Sequence, residues 1–300
     1  MGYGNWSAQS FADYSTRRGY DYDTATGSIK GSYSAQEMFK SRRLEKELDP
    51  AGVMRECRDS DEHPHSRPVI LALDVTGSMG DVSVKVAKSL NNIMEELYKS
   101  VEDVEFMIMG IGDLTYDMAP IQASQFESDI RIAESLDKIY FEGGGGGNGF
   151  ESYTAAWYFG LNNCDLDCWK RGEKGTIITL GDEPLNPYLP ETNLKKTLGI
   201  YGEISLPNTT ETLYKQASEK YNIYHVAVND DGTSYNWYKT NIEKSWGALL
   251  GHNFYTSTLN ALPMTISEIV KKSNSHDNFI DSPIVMEDND IIRDSDGIGW

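Results

Sequence analysis

From Pro68 onward the chain alternates between two apolar patterns. Val69, Ile70, Leu71, Ala72 and Leu73 form an unbroken apolar run, as expected of a strand buried on both faces of a parallel sheet. The next apolar residues, Val82, Val86, Leu90, Ile93, Met94, Leu97 and Tyr98, recur at helical spacing. Continuing this reading predicts strands over 69–75, 104–112, 138–141, 175–181 and 223–228, with helices over 82–100, 129–136, 151–161, 209–219 and 264–271. Alternating elements of these lengths define a three-layer α/β domain over 68–272, with a mostly parallel central sheet flanked by helices.

The flanking segments read differently. Residues 1–67 are rich in Ser, Tyr and Gly, and Ser34-Ala35-Gln36-Glu37 is a capping box that predicts one helix running to Leu48, where Asp49-Pro50 stops it. Residues 273–300 form an acidic C-terminal tail whose only Lys or Arg is Arg293; its interleaved Ile and Val leave both docking and solvated disorder open. Between the fourth strand and its helix, residues 183–207 make a long connection expected to overhang the sheet end.

Charge narrows the possible functions. A formal net charge of −19 and a pI near 4.6 argue against a nucleic-acid partner, because phosphate recognition needs clustered Lys and Arg. The start lacks the apolar core of a secretory signal, and nothing approaches the roughly 18 apolar residues of a membrane span. Cys57, Cys164 and Cys168 are odd in number and form no Cys-x-x-Cys pair, which argues against a disulfide scaffold. These features together predict a soluble, cytoplasmic, acidic protein.

The chemistry concentrates where the first strand ends. Asp74, Thr76 and Ser78 place three oxygen-bearing side chains at alternate positions on a strand-to-helix loop. One such residue is an ordinary helix cap, but three in alternation outline a hard-cation site, of the kind that suits Mg²⁺ with its few protein oxygens and retained waters. Asp74-x-Thr76-x-Ser78 resembles the opening motif of the metal-ion-dependent adhesion site of the von Willebrand factor A (vWA) family. The resemblance implies a Rossmann-like vWA fold and two later ligands. Asp182, ending the strand 175–181 in the order Leu180-Gly181-Asp182, matches the last aspartate. Asn148, Glu151 and Ala156, after the glycines 143–147, are similar in spacing to the integrin β-subunit branch, so Glu151 is taken as the middle ligand, with Ser152 and Thr154 as fallbacks. The implied cofactor is Mg²⁺, or Mn²⁺ or Ca²⁺. The implied function is a non-enzymatic, metal-dependent protein-protein interaction module, serving intracellular assembly or regulation. A partner Asp or Glu would complete the coordination, and an AAA-type ATPase is one partner the family suggests.

Other readings compete. Thr76-Gly77-Ser78-Met79-Gly80 is similar to the nucleophile elbow of α/β-hydrolases with its first glycine replaced, and Asp182 and His252 follow in the chain order such a triad requires. Gly144-x-Gly146-x-x-Gly149 matches a dinucleotide fingerprint, though five consecutive glycines make that match cheap. A structural protein with an incidental metal is a third class. Two smaller clusters allow a second metal at His63 or His65 with Asp59 or Asp61, against a linker pinned by Arg–carboxylate pairs, and a turn or metal-water role for Asp113.

Overall fold

The computed structural model describes residues 4–142, 149–274 and 285–286. In chain order its elements are α1 (Ala8–Arg17), β1 (Tyr22–Asp23), β2 (Ser28–Ile29), the one-turn α2 (Ala35–Met38) and β3 (Arg55–Cys57). Next come β4 (Arg67–Asp74), α3 (Gly80–Tyr98), β5 (Val104–Ile111), β6 (Ile121–Ala123), α4 (Arg131–Asp137), α5 (Ala155–Asn163), β7 (Cys164–Leu166) and α6 (Asp167–Lys170). The remainder is β8 (Gly175–Gly181), α7 (Glu191–Leu198), α8 (Thr210–Lys220), β9 (Tyr221–Val228), α9 (Tyr235–Leu250), β10 (Phe254–Ser257), α10 (Leu262–Asn274) and β11 (Val285–Met286).

The main sheet has the order β11-β10-β9-β8-β4-β5-β6, parallel throughout except for the antiparallel β5–β6 pair. Strand alternation sends Val69, Leu71 and Leu73 of β4 into a core shared with α3, α4 and α10, while Ile70 and Ala72 enter a second core with α5, α8 and α9. Helices therefore cover both faces, the mixed α/β arrangement that unbroken apolar strands require. β4 pairs with β5 on one side and β8 on the other, and the chain winds away from it in both directions. That reversal falls beyond the carboxyl ends of β4 and β8, the position of the ligand crevice in open α/β sheets.

Several expectations need correction. The helix expected from Ser34 to Leu48 stops at Met38: the capping box forms, but Phe39 turns extended and stacks on Phe141 at 4.7 Å between ring centroids. No strand forms over 138–141. Instead Gln122 on β6 receives the backbone N–H of Tyr140 at 2.8 Å and donates to its carbonyl at 2.7 Å, so one side-chain amide replaces a ladder rung. The connection 183–207 contains α7, whose Leu194 and Leu198 are buried. The pattern also missed α1, whose Phe11 joins the core around α3, and both α9 and β10. In α9 only Tyr235, Ile242, Trp246 and Leu250 are buried, a stripe too sparse to stand out among its polar neighbours. The glycine run 143–147, Asn148 and, apart from 285–286, the acidic tail from residue 275 lie outside the described residues.

Replacing Gln122 by Ala would strand both backbone groups of Tyr140. The expected cost is about 1–3 kcal/mol in urea unfolding, and an unchanged midpoint would contradict the rung assignment.

Candidate functional site

Asp74 is the last residue of β4 and is fully buried. One of its oxygens accepts from the Thr76 backbone N–H at 2.9 Å and from the Thr76 hydroxyl at 2.5 Å; the other accepts from the Tyr153 hydroxyl at 2.6 Å. The short loop therefore folds around its own carboxylate before α3 begins. Asp182, just beyond the end of β8, is also fully buried. It accepts from the Ser234 backbone N–H at 2.6 Å, and Ser78 of the β4 loop lies close enough to lower its pKa. Glu151, only 2% exposed, enters from the segment before α5 and lies close enough to Asp74 for their charges to interact strongly.

Of the five predicted positions, Thr76 is thus joined to Asp74 by hydrogen bonds, while Asp182 and Glu151 are coupled to Asp74 through charge and Ser78 lies beside Asp182. The fallback residues are engaged elsewhere. The Ser152 hydroxyl accepts from the Leu114 backbone at 3.0 Å, and the Thr154 hydroxyl accepts from Asn186 at 2.7 Å. By contrast one oxygen each of Glu151, Asp182 and the adjacent Glu183 is buried without any hydrogen-bond partner. Glu183 was not predicted: neighbouring residues at a strand end ordinarily point to opposite sides, so Asp182 gave no hint of it.

Burial pushes every one of these carboxyls up. For Asp74 desolvation is reinforced by Asp182, and for Glu151 by Asp74. Asp182 is raised by burial against the opposing Ser234 hydrogen bond and the nearby Ser78, and Glu183 is pushed to about 8 by burial, Asp74 and Asp182. The low polarity comes from an aromatic wall behind the acids. His225, held neutral by burial, stacks on Trp246 at 3.7 Å between centroids, and Tyr153 meets both rings edge-on. The ring of Tyr153 lies over Gly181, where a Cβ would come within 2.4 Å of it. Nothing in the sequence distinguishes Tyr153 from an ordinary core aromatic.

An orphaned, desolvated carboxylate oxygen seeks either a proton or a cation, and this donor set of acids and hydroxyls suits a hard one. Asp74, Thr76, Ser78, Glu151 and Asp182 fit that role chemically. Among the described residues no group of three His, Cys, Asp or Glu side chains is placed to hold a metal ion, so Asp74, Glu151 and Asp182 do not close into a cage as they stand.

The other candidates separate from this site. His252 is exposed on the turn before β10, toward the amino ends of the strands, so no triad forms with Ser78 and Asp182. Asp113 serves its turn: its carboxylate accepts from the Thr115 backbone at 2.5 Å and its own N–H donates to Asp117 at 2.7 Å. His63 is buried against Asp103 and the Gly4 carbonyl, while Asp59 pairs with Arg171 and accepts from Ser66. Arg58 holds Asp165 and Asp167, so the segment before β4 is pinned by Arg–carboxylate pairs. Cys57, Cys164 and Cys168 are buried free thiols.

No family model and no curated protein matches the chain. Among solved structures it is similar to the pilus adhesin SpaC from Lactobacillus rhamnosus GG in its open conformation, at 14% identity and a TM-score of 0.45 over 74% of this chain and 31% of that one. A second crystal structure of the same adhesin gives 12% identity and a TM-score of 0.46, over 74% and 32%. The chain spans about a third of that adhesin's length.

Two outcomes follow from the site's electrostatics. These carboxyls keep protons in the folded state that an unfolded chain, with values near 4, releases, so metal-free stability is fullest at low pH and falls as pH rises through the raised values. Thermal unfolding in EDTA should therefore show a lower Tm at pH 8.5 than at pH 5.5, and the opposite order would contradict the burial assignment. Tyr153→Phe keeps the ring and strands one Asp74 oxygen, and should lower stability by about 1–3 kcal/mol in urea unfolding; an unaltered stability would show that the bond carries nothing.

Proposed function

We propose that the chain is a vWA-like module whose crevice at β4 and β8 holds a divalent cation and presents it to a protein partner. The observation that carries this reading is the set of three buried, unpartnered carboxylate oxygens, on Glu151, Asp182 and Glu183, beside the Asp74, Thr76 and Ser78 loop. Thr76, Ser78 and Glu151 are the expected direct ligands, with Asp74 and Asp182 acting directly or through water. The cation is Mg²⁺, with Mn²⁺ or Ca²⁺ as substitutes, and when bound it supplies a positive point in an otherwise acidic surface.

The protein's own residues supply the rest. Tyr153 and Thr76 orient Asp74, the Ser234 backbone N–H orients Asp182, and the aromatic wall excludes water behind them. The fourth acid, Glu183, sharpens the reading. With four carboxylates against two positive charges the site stays anionic, so the cation is held firmly and its pull on an acidic partner is reduced. Tyr116, Met118, Tyr188 and Trp237 are exposed on loops or helix starts that follow strand carboxyl ends, and they offer a partner apolar contact around the cation. Interaction modules of this kind need no reacting group, and the proposed role is binding rather than catalysis.

Titration calorimetry with Mg²⁺ tests the reading. Wild type should bind one ion, and Asp74→Ala combined with Ser78→Ala should weaken binding by about two orders of magnitude or abolish it. Equal affinity in the double variant would overturn the assignment.

A further inference from the structure

A cavity of about 730 Å³ opens away from the crevice, between the end of α1, the segment 40–47 and α4. In a chain with 46 acids and 27 Lys and Arg, Lys40, Arg42 and Arg43 are exposed on its lip within four consecutive residues, while Glu45, Glu47 and Glu134 also line it. None of the three has an ion-pair partner among the described residues; the ammonium of Lys40 instead sits 5.8 Å from the ring centre of Tyr20. Elsewhere on the molecule Arg58, Arg131, Arg171 and Lys271 are each tied to carboxylates. Three cations side by side repel one another, and of the three only Lys40 is drawn inward, by the Tyr20 ring and the Asp137 charge. A partner's charge would reverse the repulsion.

The floor decides what kind of partner. Asp137 lies buried there, bonded to the Tyr14 hydroxyl and to Arg18 at 2.7 Å, and Lys138 is 3.8 Å from Glu47. The buried Asp137 is therefore already matched, and Arg42 and Arg43 stand without an ion pair on an irregular segment at the rim, next to Glu45. One dense anion on the floor would face Asp137. Several separated negative charges on a flexible strand would instead reach the rim groups one by one. A long polyanion would also have to approach the rest of a surface with net charge −19, which a short acidic segment avoids.

We infer that Lys40, Arg42 and Arg43 form the docking rim for a short acidic peptide segment of a partner protein, a run of Asp or Glu side chains. This surface is separate from the crevice at β4 and β8 and does not depend on a cation there. The test is fluorescence anisotropy with a labelled hexaglutamate peptide, in EDTA. Binding should weaken about tenfold or more in Arg42→Glu with Arg43→Glu, and should also weaken as salt rises from about 0.05 to about 0.3 M. Arg42→Gln with Arg43→Gln gives a milder loss of the same sign and serves if the charge-reversed protein fails to fold; Asp74→Ala with Ser78→Ala should leave peptide binding within about twofold of wild type. Equal affinity in both Arg variants overturns the inference, and so does tighter binding of inorganic phosphate or a short oligonucleotide than of the peptide.

Discussion

Repulsion among buried carboxylates is the constraint around which the crevice is organised. Asp74 and Asp182 sit at the ends of adjacent strands with no solvent exposure, Glu151 joins them from the segment before α5, and Glu183 follows. Taking one carboxylate out of water costs several kcal/mol, and bringing four together costs more. The fold answers with donors from Thr76, Tyr153 and the Ser234 backbone, and still leaves three oxygens unmatched. A structure that gathers acids, desolvates them against His225 and Trp246, and leaves their last lone pairs free is arranged for something positive. In the proposed reading that something is a divalent cation.

Legibility from sequence followed how local each signal was. β4, β5, β8 and β9 announce themselves because a strand buried on both faces must be apolar at every position, and α3 because its long stripe repeats five times over. Asp74, Thr76 and Ser78 could be read together because they sit in one loop. The links to Glu151 and Asp182 rested on a family resemblance, since nothing local connects residues 77 and 108 positions away from Asp74.

What stayed hidden depends on packing at a distance. Tyr153 acquires its role only when its hydroxyl meets Asp74 across 79 residues, and Gln122 becomes a ladder rung only beside Tyr140. The helix expected over 34–48 ends early because Phe39 finds Phe141, which no window of fifteen residues contains. α1 and the β1–β2 hairpin were invisible for the opposite reason: their polar-rich sequence carries a few residues, Phe11 and Ile29 among them, that complete a core built mostly by others.

The central proposal is that these buried acids, whose proton affinity burial raises, give up protons to a divalent cation. It is tested most directly by counting protons released when Mg²⁺ binds, from calorimetry at pH 7 in two buffers of different ionisation enthalpy. The account predicts release of about one proton or more per ion, because raised carboxyls must ionise to coordinate it. Binding without proton release would contradict it, as it would mean that the crevice is already ionised and that its buried oxygens are balanced in some other way.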